Sequence, residues 1–210
     1  AKDETFDGSI LVVERDPSYE TSSTTHSNSG IRQQFSTALN VRISQFGAEY
    51  ITRFREEMGG DPRVPEVDLH AFGYMYLAAT DSAAEALRRA HAVQAGCGAQ
   101  TRLMTAEEIA AACPFYALDD IQLGSHNTQG EGYWDSGTVF EWWRRMARSR
   151  GVEFVAVEVT GMERSREGAR IERVQLADGT AISCGWVVNA SGPRAARTAV
   201  MAGLTLPVEP

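Results

Sequence analysis

Few side chains in this sequence are spaced for chemistry of their own. No Ser-His-Asp set, Cys-His pair or Walker-type phosphate loop can be assembled from it. Cys97, Cys113 and Cys184 are far apart and odd in number, and no His/Cys group has metal-ligand spacing. Chemistry therefore concentrates in one polar stretch, ILVVERDPSYETSSTTHSNSGIRQQFST, from Ile10 to Thr37. An apolar run, Ile10 to Val13, stops at Glu14-Arg15 and breaks at Pro17. A continuous apolar run is how a parallel strand buried on both faces reads. An acid at its carboxyl end can hold ribose hydroxyls, and the hydroxyl-rich loop after it suits the same ligand class. The competing reading is a solvated strand end followed by a polar surface loop. Arg32 is the one cation in this stretch suited to a reacting group, because a guanidinium pairs bidentately with a carboxylate. Equally, Arg32 can brace the polar loop. His26 reads as a surface or loop-bracing residue.

The elements that must position these residues follow in order. Ser36-Thr37 can cap a helix over about 39–58, with Ile43, Phe46, Tyr50, Phe54 and Met58 as one apolar stripe packed in the core. Gly59-Gly60 ends it. The run from Leu69 to Ala79 reads as a strand in which Gly73 permits a bulge or close backbone approach. Asp81 caps a helix through about Gln94, and Thr105 with Glu108 forms a capping box for a short one before Pro114. Ile121 to Ser125 reads as a strand. Gly130-Glu131-Gly132-Tyr133-Trp134-Asp135 marks a tight backbone path with aromatics that suit a core or a pocket. Ser136 or Thr138 caps a helix to about Arg150, with Arg144, Arg145, Arg148 and Arg150 as a solvated face and Gly151 as its stop. Val152 to Val159 alternates as a strand. Ile171 to Leu176 and Ala181 to Ser183 make a hairpin around Asp178-Gly179. Trp186-Val187-Val188 reads as a second buried parallel strand that enters a small-residue turn and a helix from about Arg194 to Ala202.

Bulk properties exclude several classes. The chain has 210 residues, 43% of them hydrophobic, enough for one large domain or two small ones. A net charge of -8 gives no basic field for nucleic acid. No apolar run approaches the roughly 20 residues that span a bilayer. Widely spaced thiols suit a reducing, cytoplasmic setting.

The stretch VVERDPSYETSSTTHSNSGIRQQFS resembles the FAD-dependent oxidoreductases of the D-amino-acid oxidase superfamily, which includes sarcosine and dimethylglycine dehydrogenases and glycine oxidase. The likeness is strongest to the FAD-dependent oxidoreductase domain-containing branch, in which a Ser/Thr-rich segment runs into Gly-Ile-Arg-Gln-Gln-Phe-Ser. The resemblance implies an α/β fold: a Rossmann-like FAD-binding domain, incomplete here, with an inserted α+β substrate domain. The expected division is 1–66 and 136–210 for the FAD-binding parts and 67–135 for the substrate part. The resemblance places Glu14 on the adenosine ribose and Arg15 near the adenine. It places Ser22, Ser23, Thr24 and Thr25 along the pyrophosphate and ribityl chain, and Gly30, Ile31 and Arg32 beside the isoalloxazine. Ala190, Ser191 and Gly192 would pack on the FAD, and Val159 would meet the adenine. Arg32 becomes the substrate residue. Some relatives bond a loop His covalently to the flavin; the spacing here puts Ser27 at that position, so a non-covalent FAD is expected. The implied reaction oxidises the C–N bond of an amino acid or N-methyl amine to an imine, with an electron-acceptor protein or quinone as a possible partner. A flavin-binding assembly or scaffold protein and a non-catalytic fragment stay open as alternatives. One departure stands out. The G-x-G-x-x-G turn that precedes the acid-ended strand in this family is absent from AKDETFDGS, so the chain reads as an interior piece of a longer enzyme.

Overall fold

The computed structural model describes residues 5–207. In chain order the elements are β1 (Leu11–Glu14), β2 (Gly30–Ile31), α1 (Ala38–Thr52), α2 (Phe54–Glu57), β3 (Tyr74–Ala78) and α3 (Asp81–Gly96). Then come β4 (Arg102–Met104), α4 (Ala106–Ala112), β5 (Leu123–Asn127), β6 (Gly132–Tyr133) and α5 (Ser136–Ser149). The chain closes with β7 (Glu153–Ala156), β8 (Val159–Arg164), β9 (Ile171–Leu176), β10 (Ala181–Ser183), a 3-10 turn (Gly192–Arg194) and α6 (Ala195–Met201). Contacts divide these into two compact units. One takes the residues up to His26 together with those from Trp143 onward; the other is Ser27–Trp142.

In the first unit, β1 pairs with β7 in parallel, from Leu11 opposite Glu153 to Glu14 opposite Ala156. The run expected to be buried on both faces is only half-buried, and Leu11 is exposed. The reason is that β1 has a single strand neighbour among the described residues. The expected strand Val152 to Val159 is two strands. It leaves β1 after Ala156 and rejoins at Val159 as the edge of an antiparallel sheet ordered β10-β9-β8. Alternation of side chains is blind to a change of partner, so the sequence pattern runs through the switch. The hairpin around Asp178-Gly179 forms as expected, with Gly179 at φ +85. Trp186 to Val188 is a correction: no strand forms, and Trp186 and Val188 are 92% and 86% exposed. An apolar run becomes a buried strand only where a neighbour supplies ladder bonds and a covering face, and no described strand does so here. The arginines of α5 are a second correction. Arg144 stacks over the Tyr19 ring at 4.9 Å and Arg148 over Phe154 at 4.7 Å, so two of the four cover aromatic faces instead of facing only water.

In the second unit, β3, β5 and β4 form an antiparallel sheet with β5 in the centre. Ala78, Leu123 and Ala84 of α3 make a core cluster, flanked by Leu87 and Leu103. Ile109 of α4 is fully buried, and its terminal methyl lies where a side chain on Gly124 would begin, so a larger residue there would have to push Ile109 aside. Thr105 and Glu108 form the expected capping box. For α3, Thr80 and not Asp81 is the N-cap, accepting the Ala83 N–H at 3.2 Å. The long helix expected after Thr37 breaks at Arg53 into α1 and α2, and Thr37 makes no side-chain cap bond. The face of α1 that enters the core is Val41, Ala48 and Ile51. Ile43 and Phe46, expected inside, are 58% and 68% exposed, while Phe54 and Met58 are buried. Among the described residues no helix is long and apolar enough to cross a membrane.

Candidate functional site

In the first unit one group of candidate residues stands at the carboxyl end of β1. Glu14 closes that strand, and its Oε1 accepts the Asp16 N–H at 2.8 Å, which turns the chain away from the sheet. Asp16 then organises the loop. Its carboxylate accepts the Ser18 hydroxyl, the Ser18 N–H at 3.1 Å and the Thr21 N–H at 3.2 Å. These bonds, led by the Ser18 hydroxyl, hold the Asp16 carboxyl down at about 2. Tyr19 sits at φ +57, an uncommon value for a non-glycine residue, under the Arg144 guanidinium. Its phenol is pushed up by burial and by the Glu14 carboxylate, with Arg144 opposing. Glu14, Tyr19, Arg144 and Phe154 help line a cavity of about 90 Å³.

The remaining candidates of this unit are mostly exposed. Arg15 lies 4.0 Å from Glu158. Ser22 and Thr25 share a hydroxyl bond at 3.1 Å, and Thr25 Oγ1 also donates to the Tyr19 carbonyl at 2.7 Å; Ser23 and Thr24 project from the same turn. Val159 begins β8, opposite Leu176. Ala190, Ser191 and Gly192 form an exposed turn into α6, braced by Asn189, whose Oδ1 accepts the Ser191 N–H at 3.3 Å. Gly192 has φ +56 and open space above it.

In the second unit the segment Gly30 to Gln34 is held from both sides. Gly30 and Ile31 pair with Tyr133 and Gly132. A Cβ on Gly30 would meet the Tyr74 hydroxyl, so any larger residue there would have to displace the end of that side chain. Immediately after Arg32, the Gln33 N–H donates to Glu131 Oε1 at 2.6 Å. Gln34 Nε2 donates to Glu131 Oε2 at 2.9 Å, and Asn127 Nδ2 donates to Oε1 at 3.1 Å. Glu131 is completely buried. All three partners are N–H donors, as an acceptor-only carboxylate requires, and such charge-assisted bonds contribute roughly 1.5–3 kcal/mol each. The Arg32 side chain stays exposed, its guanidinium 4.8 Å from the Phe35 ring centre and near enough to the Tyr76 phenol to act on it electrostatically. Burial pushes the Tyr76 phenol up and Arg32 pulls it back. Tyr133, 47% exposed, stacks on His70 at 4.6 Å. A cavity of about 310 Å³ beside His70 is lined by Glu66, Asp68, Asp135 and Thr138, and none of the residues expected to bind a ligand lines it.

A profile of FAD dependent oxidoreductases, the DAO family, matches residues 4–210. The chain belongs to this family. It is 30% identical to FAD-dependent oxidoreductase domain-containing protein 1 of Xenopus laevis, over 96% of its own length and 46% of that protein's. It thus spans about half the length of such relatives. Among solved structures it resembles an L-proline dehydrogenase from P. horikoshii, with TM-score 0.73 and 24% identity over 94% of this chain and 56% of that one. A glycine oxidase from Geobacillus kaustophilus gives TM-score 0.73 at 19% identity, over 96% and 53%. These likenesses show the fold: mixed helix and strand of the FAD-dependent oxidoreductase type, shorter than its neighbours.

Sequence reasoning passed over Glu131, Tyr76, Tyr19 and Arg144. For Glu131 the flanking glycines were visible, but nothing in the sequence showed that the acid between them is buried. Tyr19, Tyr76 and Arg144 gave no signal, since each acquires its role from a partner far away in sequence.

Proposed function

We propose that the chain contributes to an enzyme that oxidises the C–N bond of an amino acid or N-methyl amine, of the sarcosine, glycine or D-amino-acid kind, to an imine. The observation that carries this reading is Arg32: an exposed guanidinium on a segment fixed on both sides, in a chain of a flavin-dependent family. It is suited to a substrate carboxylate, because a guanidinium stacked on an aromatic ring still offers N–H donors along its edge. The amine would bind neutral, so no strong base is needed among these residues.

FAD, when bound, supplies the hydride acceptor. The residues present suit such a group. Glu14 keeps an acceptor oxygen for ribose hydroxyls, and Arg15 and Val159 would stand by the adenine. Ser22, Ser23, Thr24 and Thr25 offer hydroxyls to the pyrophosphate and ribityl chain. Ala190, Ser191 and Gly192 present small side chains and open backbone for packing on it. Gly30 and Ile31 are proposed contacts of the isoalloxazine. His26 is exposed in a loop, and its backbone donates to Ser22. It is proposed to form no covalent link to the flavin. An electron-acceptor protein or quinone would complete the cycle.

The test is the visible spectrum of the purified chain before and after acid precipitation. Flavin bands that leave with the supernatant support non-covalent FAD. Arg32→Met in the loaded protein should then raise KM for carboxylate-bearing amines roughly tenfold to hundredfold, the weight of one or two charge-assisted bonds. A colourless protein that takes up no added FAD would refute the proposal for this chain.

A further inference from the structure

We infer that Glu131 is the positioning residue for Arg32, holding that guanidinium where a carboxylate-bearing amine can meet it. This rests on the reading of Arg32 as the carboxylate-binding residue. The ladder between β2 and β6 contains only two pairs, Gly30 with Tyr133 and Ile31 with Gly132. The next position along each strand would set Arg32 against Glu131. The ladder stops there, and the Glu131 side chain takes over from its backbone. Its Oε1 accepts the N–H of Gln33, one residue beyond Arg32. Its Oε2 accepts from Gln34, whose amide also donates to the Tyr74 carbonyl at 2.9 Å and whose oxygen accepts the Ser125 hydroxyl at 2.7 Å. The segment is therefore held by strand pairing before Arg32 and by one buried carboxylate after it, leaving the Arg32 side chain projecting between two fixed points.

The backbone on the Glu131 side is fixed as well. Gly73 donates its N–H to the Glu131 carbonyl at 3.0 Å. A side chain on Gly132 would strike the His70 carbonyl, so Glu131 cannot slide along its neighbours. Asn127 of β5 donates to the carboxylate from the central strand of the sheet, and Tyr76, whose phenol feels the Arg32 charge, lies on β3 of that same sheet. Carboxylate and guanidinium are thus referenced to one rigid frame. Among the described residues no cation pairs with this buried acid; each of its oxygens accepts from one of the two residues that follow Arg32, with Asn127 as a third donor, and that placement explains it.

Amide exchange on the full chain supplied with FAD is the first measurement, with Glu131→Gln and Glu131→Asp as variants. The Gln33 amide in the unaltered protein should exchange as slowly as the β3–β5 ladder. In both variants it should exchange at least tenfold faster while that ladder keeps its rate. A Gln33 amide that exchanges like an exposed loop in the unaltered protein overturns the inference with no variant needed; so does an unchanged rate in both variants. The second measurement is the affinity for anthranilate, an amine carrying one carboxylate. Arg32→Met should abolish binding, and Glu131→Gln should weaken it about tenfold with FAD affinity unchanged. If Arg32→Met leaves binding intact, or anthranilate does not bind, the carboxylate reading of Arg32 falls and the inference with it, whatever the exchange data show. If Arg32→Met loses binding and Glu131→Gln keeps it in full, Arg32 stands and the inference alone is overturned.

Discussion

Gly59 and Gly73 provide a matched pair for measuring how tightly the second unit is built around β5. Both have φ +89. An L-residue in the left-handed region costs roughly 1–2 kcal/mol, so that part of the penalty is shared. They differ in what surrounds them. Nothing lies within 4 Å of a Cβ built on Gly59, whereas one on Gly73 would sit 2.4 Å from the Asn127 carbonyl oxygen and 3.1 Å from the Thr128 Cα. Those atoms are backbone, so β3 or β5 must shift, and forced overpacking of this kind adds roughly 1–3 kcal/mol. Gly59→Ala should therefore cost about 1–2 kcal/mol and Gly73→Ala about 2–5 kcal/mol. At roughly 2–4 °C per kcal/mol for a chain of this size, Gly73→Ala melts well below Gly59→Ala. Urea unfolding followed by tryptophan fluorescence and by circular dichroism gives both differences, with unchanged m-values as the internal check. Gly73→Ala should also disturb Arg32, because the Gly73 N–H donates to the Glu131 carbonyl. Equal costs for the two substitutions would refute the close approach of Gly73 to Asn127 and, with it, the fixed frame behind Glu131.

Two further outcomes follow from local chemistry. The Asp16 carboxyl is held at about 2 against an ordinary 3.8, so its contribution to the loop is fully present above pH 3.8 and is lost as pH falls through 2. Carboxyl NMR should show Asp16 titrating at about 2, and Asp16→Asn should free the Thr21 amide to exchange at neutral pH; slow exchange in that variant would contradict the described bonds. Thr105→Ala removes one half of the capping box and should destabilise the second unit by about 1 kcal/mol, read as a lower urea midpoint, while Thr37→Ala, which loses no cap bond, should be close to neutral.

What the sequence revealed sorts by the reach of the interaction. The capping box at Thr105 and the hairpin at Asp178-Gly179 are settled within a few residues and were legible. So was the acid-ended strand at Glu14, because an apolar run, a charge and a proline stand side by side. Glu131 and Gln33 are 98 positions apart, and no local pattern announces that pairing. The change of partner between Ala156 and Val159, the exposure of Trp186 and the outward turn of Ile43 and Phe46 are likewise decided by which neighbour is present, and hydrophobicity alone names no neighbour.

The division of the chain has a consequence for the order in which it folds. The second unit is one continuous segment, Ser27–Trp142, whereas the first joins residues on either side of it. β1 can find its parallel partner only after β7, roughly 140 residues later, has been synthesised, a wait of roughly 10–30 s at ordinary translation rates. Bringing such distant strands together across an unstructured chain costs about 3 kcal/mol more in loop entropy than a local contact. Once the inserted unit has folded, most of that loop is no longer flexible, and the cost shrinks accordingly. The sheet that fixes Glu131 can thus form before the strand carrying Glu14 meets β7, and damage to the inserted unit would also slow that pairing.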